Sequence, residues 1–296
     1  MENPYHPPHA EAQPPPLPEV EKTPWNICFT LLWGVILFMI WQTVQGIGLV
    51  IYMLKEGLFG EITRSNEPLD TDELMVRLMD GDLVGLLSFI TIFAVCPVAW
   101  FLGKLKRPWG GWEYLGSAAV RWWKWPFWLA VTYLLGLGMG LLGPSLGLDG
   151  MHESMVQMAT STDFPILLFL GLAVGAPLVE EFVFRGILWR GWRGDTQVSL
   201  WVTLIVTSAL WAILHGQYEP ILIVFIFVFG IALGIAREKT GNLWVPVAMH
   251  ALHNSSAALG MLTADFLGRE ISGPSWKFWD GPDKGKPEKV KVSLGS

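Results

Sequence analysis

Midway along an apolar stretch from Phe164 to Trp189 stand two adjacent glutamates and an arginine: Glu180, Glu181 and Arg185. Charge at bilayer depth is expensive, so such residues in an apolar setting point to a use. Two later apolar segments carry polar partners, one ending at His215 and the other holding His250, His253 and Asn254. On a helix, Glu181 and Arg185 lie four apart on one face and can form an ion pair. Glu180 projects ~100° away from Glu181 and has no built-in partner. This spacing divides the labour: Glu181 is the paired, structural carboxylate, and Glu180 the free one, suited to act as a base. His250 and Asn254 are also four apart, and imidazole and carboxamide can both donate hydrogen bonds to an oxyanion. Together with His215 the set is sufficient to activate water against a carbonyl. Glu180, His215 and His250 would equally serve as ligands for one zinc ion with an open position.

The elements that must position these residues follow from composition. Of 296 residues, 52% are hydrophobic, only 16% are charged and 17 are tryptophan; globular domains carry nearer a quarter charged residues. The net charge of −6 and the lack of a basic run argue against nucleic acid as a partner. Cys28 and Cys96 match no metal-ligand spacing. Seven stretches approach the ~20 apolar residues that a hydrocarbon core requires. They are Ile27–Leu54, Leu83–Leu102, Phe127–Leu142, Phe164–Trp189, Val198–His215, Ile221–Ala236 and Leu243–Leu262, and the shortness of the third and sixth leaves a range of six to eight. Backbone groups without water must bond within the segment, so the expected fold is all-α, a polytopic integral membrane helical bundle.

Four regions are expected along the chain. Residues 1–26 read as a disordered, proline-rich cytoplasmic tail in which His6 and His9 are merely solvated. Residues 27–162 form accessory transmembrane helices, residues 163–263 a four-helix catalytic core, and residues 264–296 a polar carboxyl-terminal tail. Lys104, Lys106, Arg107, Arg121, Lys124, Arg190, Arg193, Arg237 and Lys239 fall in alternate connections, which places the amino terminus in the cytoplasm. The basic residues of the last tail oppose this weakly. The compact chain suits a bacterial cytoplasmic membrane. Tryptophans between Trp109 and Trp128 read as interfacial anchors, with the stretch to Trp125 lying along the cytoplasmic surface.

Depth arithmetic tests the constellation. At ~1.5 Å per residue Glu180 and Asn254 both fall ~16 Å from the cytoplasmic ends of their spans and His250 ~10 Å. His215 comes out ~25 Å deep, about 9 Å beyond Glu180, and is the weakest geometric link.

The segment Pro177-Leu-Val-Glu180-Glu181-Phe-Val-Phe184-Arg185-Gly186 resembles the EExxxR motif of the CPBP family, the CAAX proteases and bacteriocin-processing enzymes also called Abi proteins. Trp211-Ala-Ile-Leu-His215 is similar to the family's FxxxH, and His250-Ala-Leu-His-Asn254 fits its HxxxN. The likeness covers about residues 164–262, with three motifs in order on three spans. It implies an intramembrane endopeptidase related to the enzyme that trims the last three residues of prenylated proteins. It also implies roles: Glu180 and His215 activate the water, while His250 and Asn254 stabilise the tetrahedral oxyanion. Its substrates would be membrane-embedded or lipid-anchored proteins or peptides. Family members have been described both as metalloproteases and as metal-free; a glutamate beside an arginine-paired neighbour is a poor zinc shell, so no cofactor is expected, with zinc the alternative. Trp211 in place of phenylalanine reads as a packing change.

Other readings compete. A non-catalytic scaffold or bacteriocin self-immunity protein would need Glu181 and Arg185 but not Glu180, and a transporter would show substrate flux. Gly143-Pro144-Ser145-Leu146-Gly147 matches G-x-S-x-G, yet no strand precedes it, and loop glycines beside a proline explain it. There is no H-E-x-x-H. His253 reads as a packing residue and His152 as a solvated loop residue. Gly46 and Gly48, and Gly136, Gly138 and Gly140, read as sites of close helix packing.

Overall fold

The computed structural model describes residues 22–60, 74, 77–148 and 152–266. The proline-rich tail, with His6 and His9, and the basic carboxyl-terminal tail lie outside the described residues up to position 21 and from position 267. Residues 22–26 are not a loose tail. The Trp25 indole N–H donates to Leu102 O at 3.2 Å, its backbone N–H to the Tyr114 hydroxyl at 3.3 Å, and Lys22 pairs with Glu113 at 2.6 Å.

The helices are α1 (Ile27–Lys55), α2 (Gly81–Leu105), α3 (Gly111–Leu115), α4 (Lys124–Leu142), α5 (Glu153–Ser161), α6 (Pro165–Trp192), α7 (Gln197–Ile213), α8 (Pro220–Thr240) and α9 (Trp244–Phe266). Their starts are set by local chemistry. Asn26, Asp80 and Thr196 each accept a hydrogen bond from the backbone N–H three residues on, at 2.9, 2.9 and 3.0 Å, satisfying donors that a helix start leaves free. Pro165 and Pro220 open α6 and α8, where a missing N–H does no harm. Gly241, at φ 64°, ends α8 in the left-handed conformation, its N–H bonded to Arg237 O at 2.9 Å.

Among the described residues five helices, α1, α2, α4, α6 and α8, are long and apolar enough to cross a membrane, and the protein is an integral membrane helical bundle. The expected count of six to eight is therefore corrected. The span expected at Val198–His215 is the 17-residue helix α7, which at ~1.5 Å per residue reaches only about 26 Å. The one expected at Leu243–Leu262 does form a helix of 23 residues, but His250, His253, Asn254, Ser255 and Ser256 dilute its apolar character.

Helix α6 is the spine. Of its apolar stretch 56% is buried inside the protein, against 11% for α4. It contains two π-helical segments, Gly171–Gly175 and Phe182–Leu188, on either side of the α-helical Ala176–Glu181. Such wide turns are rare and gather at functional sites. Helices α2 and α6 touch backbone to backbone: a Cβ at Gly171 would lie 2.4 Å from Gly85 O, one at Gly175 2.7 Å from Ser88 O, and one at Gly85 2.7 Å from Leu168 Cα. The close packing expected at Gly136, Gly138, Gly140 and Gly46 is absent, for a Cβ at any of them would meet nothing within 4 Å. Only Gly48 of those positions is tight, against Leu87 at 2.1 Å. Peripheral α4 leaves its glycines open; the intimate contact belongs to the central pair.

Two sets of contacts define the ends of the bundle. At one end Lys124 reaches Lys239 O at 3.3 Å, Ser117 bridges Asn242, and Arg190 donates to Tyr114 O at 2.8 Å. At the other, Asp82 accepts from Thr162 Oγ1 at 2.5 Å and from Phe164 N at 3.0 Å, tying the start of α6 to that of α2. The Trp109–Trp125 stretch, expected along the surface, is split. Trp122 is 81% exposed, while Tyr114 and Leu115 of α3 are fully buried in the core.

Candidate active site

Glu180, Glu181 and Arg185 of α6 meet Trp211 of α7 and His250 of α9, while His215 packs on Trp211 and Asn254 bonds α6 further along. Glu181 and Arg185 form the expected ion pair, Oε1 to Nη1 at 2.8 Å, with both side chains at 0% exposure. Arg185 Nη2 also donates to Gly230 O on α8 at 3.0 Å, and its guanidinium lies 4.9 Å from the Trp211 ring. The buried cation is thus held by a carboxylate, a carbonyl and an aromatic face.

Glu180 is buried too, its side chain 8% exposed. It does have a partner, which corrects the expectation: the Trp211 indole N–H donates to Glu180 Oε2. Trp211 is therefore more than a packing change. Its ring stands edge-on to His250, 5.1 Å away at 80°, and 5.1 Å from His215. His250 bridges the two glutamates, with Nδ1 at 3.0 Å from Glu181 Oε1 and Nε2 at 4.0 Å from Glu180 Oε2. A carboxylate only accepts, so Nδ1 carries the proton and Nε2 is the nitrogen presented to Glu180.

His215 lies just beyond the last turn of α7. Its Nδ1 is 2.9 Å from Trp211 O, one turn back, which again assigns the proton to Nδ1 and leaves the Nε2 lone pair free. No ion pair joins His215 to Glu180 among the described residues; Trp211 touches both, its ring 5.1 Å from that of His215 and its N–H bonded to Glu180. Asn254, one turn on from His250, donates through Nδ2 to Leu172 O in the first π-helical segment at 2.9 Å.

Tyr218, in the turn after α7, lies nearly parallel to His215 at 6.2 Å and 17°. Burial lifts its phenol above the ordinary value, and the nearby Glu180 and Glu219 add to this, so the hydroxyl keeps its proton. His152, expected to be solvated, packs its ring 4.9 Å from Tyr218, sets Nε2 4.0 Å from Glu219, and caps α5 by accepting from Ser154 N at 3.2 Å. The turn folds back over the α5 start, which no local pattern foretells. His253 packs on Phe229 at 4.8 Å and lines a cleft of about 280 Å³ with Thr132, Tyr133, Gly136 and Ser256 between α4 and α9. Ser145 of the G-x-S-x-G match donates to Leu142 O at 2.7 Å within an exposed turn.

Arg237 escaped the sequence reading, which counted it only as a loop cation. It is buried, donating through Nε to Arg185 O at 3.0 Å and through Nη2 to Leu115 O at 2.9 Å. A Cβ at Gly116, where φ is 108°, would lie 2.3 Å from that guanidinium. A glycine at 116 is the one signal the sequence offered. Glu113 nearby is held below the usual carboxylate range chiefly by the Lys22 hydrogen bond.

As to metal, no three His, Cys, Asp or Glu side chains among the described residues converge to hold an ion. Glu180 Oε2 is already engaged by Trp211, and His215 turns back on its own helix.

Residues 162–256 match the model of the type II CAAX prenyl endopeptidase Rce1-like family. The chain is a membrane protein whose residues 162–256 are similar to that family. It is 33% identical over 137 residues to an uncharacterized 24.3 kDa protein of Escherichia coli, covering 45% of this chain and 60% of that one. It is 30% identical over 102 residues to the membrane-embedded CAAX protease MroQ of Staphylococcus aureus, covering 33% of this chain and 40% of MroQ. With the sporulation-killing factor biosynthesis protein SkfC of Bacillus subtilis it shares 25% identity over 198 residues, covering 61% of this chain and 36% of SkfC. The chain thus spans less than two thirds of the length of each. No solved structure matches it.

Proposed function

We propose that the protein is an intramembrane endopeptidase that uses glutamate- and histidine-activated water to hydrolyse a peptide bond in a membrane-embedded or lipid-anchored protein or peptide. The observation that carries the reading is the division between the glutamates. Glu181 is sealed at 0% exposure, with Oε1 shared by Arg185 and His250 Nδ1 and Oε2 buried without a partner. Glu180 is 8% exposed, and its Oε1 has no protein hydrogen bond among the described residues and is not among the sealed atoms, so Glu180 is the glutamate a water can reach. A carboxylate held at one oxygen and open at the other is arranged to orient a water and take its proton. His215, whose ring lies 5.1 Å from the Trp211 ring that holds Glu180, is the second group assigned to activating the water.

In the reaction the water oxygen adds to the carbonyl carbon while its proton passes to Glu180. The oxyanion forms beside His250 and Asn254. Nε2 of His250 can donate to it only when both ring nitrogens carry protons, with Glu181 holding the Nδ1–H. Collapse breaks the C–N bond, and the proton on Glu180 passes to the leaving amine. Glu181 and Arg185 position the helix and His250 rather than react. Hydrolysis by this route requires no metal. By the excess of Lys and Arg there, the end carrying Lys124, Arg190 and Arg193 is assigned to the cytoplasm, and the bacterial relatives favour a bacterial inner membrane.

The test compares membrane-protein termini in cells producing wild type or Glu180→Gln at matched levels. New termini confined to the wild type are expected. Identical termini, with the variant protecting or signalling as wild type does, would replace this reading by a non-catalytic scaffold or self-immunity protein.

A further inference from the structure

Within the proposed protease reading, we propose that Trp211 is a positioning residue, its indole N–H fixing Glu180 Oε2 so that Oε1 is the oxygen presented to the reacting water. Indole nitrogen is a donor only, and the carboxylate oxygen it meets is on another helix, so the bond sets the rotation of the Glu180 carboxyl group about its last torsion. That torsion is broad and would otherwise be weakly held.

The ring is itself immobilised from four directions. Arg185 lies 4.9 Å from its centre, His250 meets it edge-on at 5.1 Å, His215 lies at 5.1 Å, and Phe229 at 6.2 Å. Gly230 makes the room: a Cβ there would stand 3.1 Å from Trp211 Cε3. Trp211 is 2% exposed, so losing its acceptor would leave a buried donor unsatisfied. A phenylalanine would keep the packing face and lose the donor. The hydrogen bond, rather than the aromatic bulk, is thus the property that tryptophan adds here.

The experiment uses the full-length protein, purified and reconstituted in lipid nanodiscs with ¹⁵N-labelled tryptophan, alongside cells producing the same variants. The Trp211 indole signal, assigned by its loss in Trp211→Phe, is expected to move when Glu180→Gln replaces the carboxylate by a weaker acceptor. In cells, Trp211→Phe is expected to slow the appearance of the wild-type-specific termini about 10- to 100-fold, the scale of a misplaced reacting group. Once a cleaved sequence is identified, a synthetic peptide carrying it should show the loss in kcat with KM within about twofold, measured below the thermal midpoint of both proteins, since Trp211→Phe also strips Glu180 Oε2 of its buried donor and lowers that midpoint. An indole signal indifferent to Glu180→Gln, or cleavage that survives Trp211→Phe at the wild-type rate, overturns the proposal alone. Termini that are the same for wild type and Glu180→Gln overturn the protease reading and this role with it. A loss that appears in KM rather than in kcat makes Trp211 a packing residue and also overturns the proposal.

Discussion

Replacing Arg185 by alanine tests the ion pair most directly. The substitution removes the bond to Glu181 at 2.8 Å, the bond to Gly230 O at 3.0 Å and the cation stacked 4.9 Å from Trp211, and it leaves Glu181 charged at 0% exposure with His250 as its remaining partner. Removing one member of a buried pair costs about 3–5 kcal/mol, because the survivor is stranded away from water. At about 2–4 °C per kcal/mol this is roughly 6–20 °C in Tm. The pair is not fully satisfied even in the native protein, since Glu181 Oε2 and Arg185 Nε are buried without partners. Replacing both residues together, Glu181→Leu with Arg185→Met, should therefore recover most of the loss in stability. The assay is thermal unfolding of detergent-purified protein followed by retention of a monodisperse peak, with wild type, both single variants and the double variant at one concentration. An Arg185→Ala protein within about 2 °C of wild type would refute the argument, as would a double variant no better than Arg185→Ala, since desolvation of a stranded charge predicts neither.

Glu180→Gln should behave oppositely, losing cleavage while its Tm stays within about 2 °C of wild type, because the amide oxygen still accepts from Trp211 and no charge is stranded. Gly171→Ala should lower folded yield and Tm by overpacking, at about 1–3 kcal/mol, because its Cβ would lie 2.4 Å from Gly85 O, whereas Gly136→Ala, with nothing within 4 Å, should be neutral; unfolding of the two variants in parallel decides this. Activity should survive exhaustive chelation, checked against metal content of the protein after dialysis; loss on chelation with recovery by one added divalent ion would move Glu180, His215 and His250 to a ligand role.

What sequence alone determined is the local part of the site. Glu181 and Arg185 pair because residues four apart on a helix share a face, and that geometry needs no knowledge of neighbours. The helical, membrane-embedded class follows likewise from apolar length and the need to bond the backbone internally. Local periodicity could not count the spans, because whether α7 and α9 cross depends on length and dilution by the very residues that form the site. The remaining decisions were tertiary. Trp211 stands 31 residues from Glu180, His250 69 from Glu181, and Arg237 52 from Arg185, and no helical period relates positions so far apart. Glycine behaved the same way: Gly136, Gly138 and Gly140 made the more conspicuous pattern, yet Gly85, Gly171 and Gly175 make the contact. A missing side chain permits close approach, but only the packing of α2 against α6 decides where it happens. The choice of which glutamate is spent on a cation and which keeps an open oxygen was half local and half global. The arginine four residues on fixes Glu181; the indole from a different helix, oriented by everything packed around it, fixes Glu180.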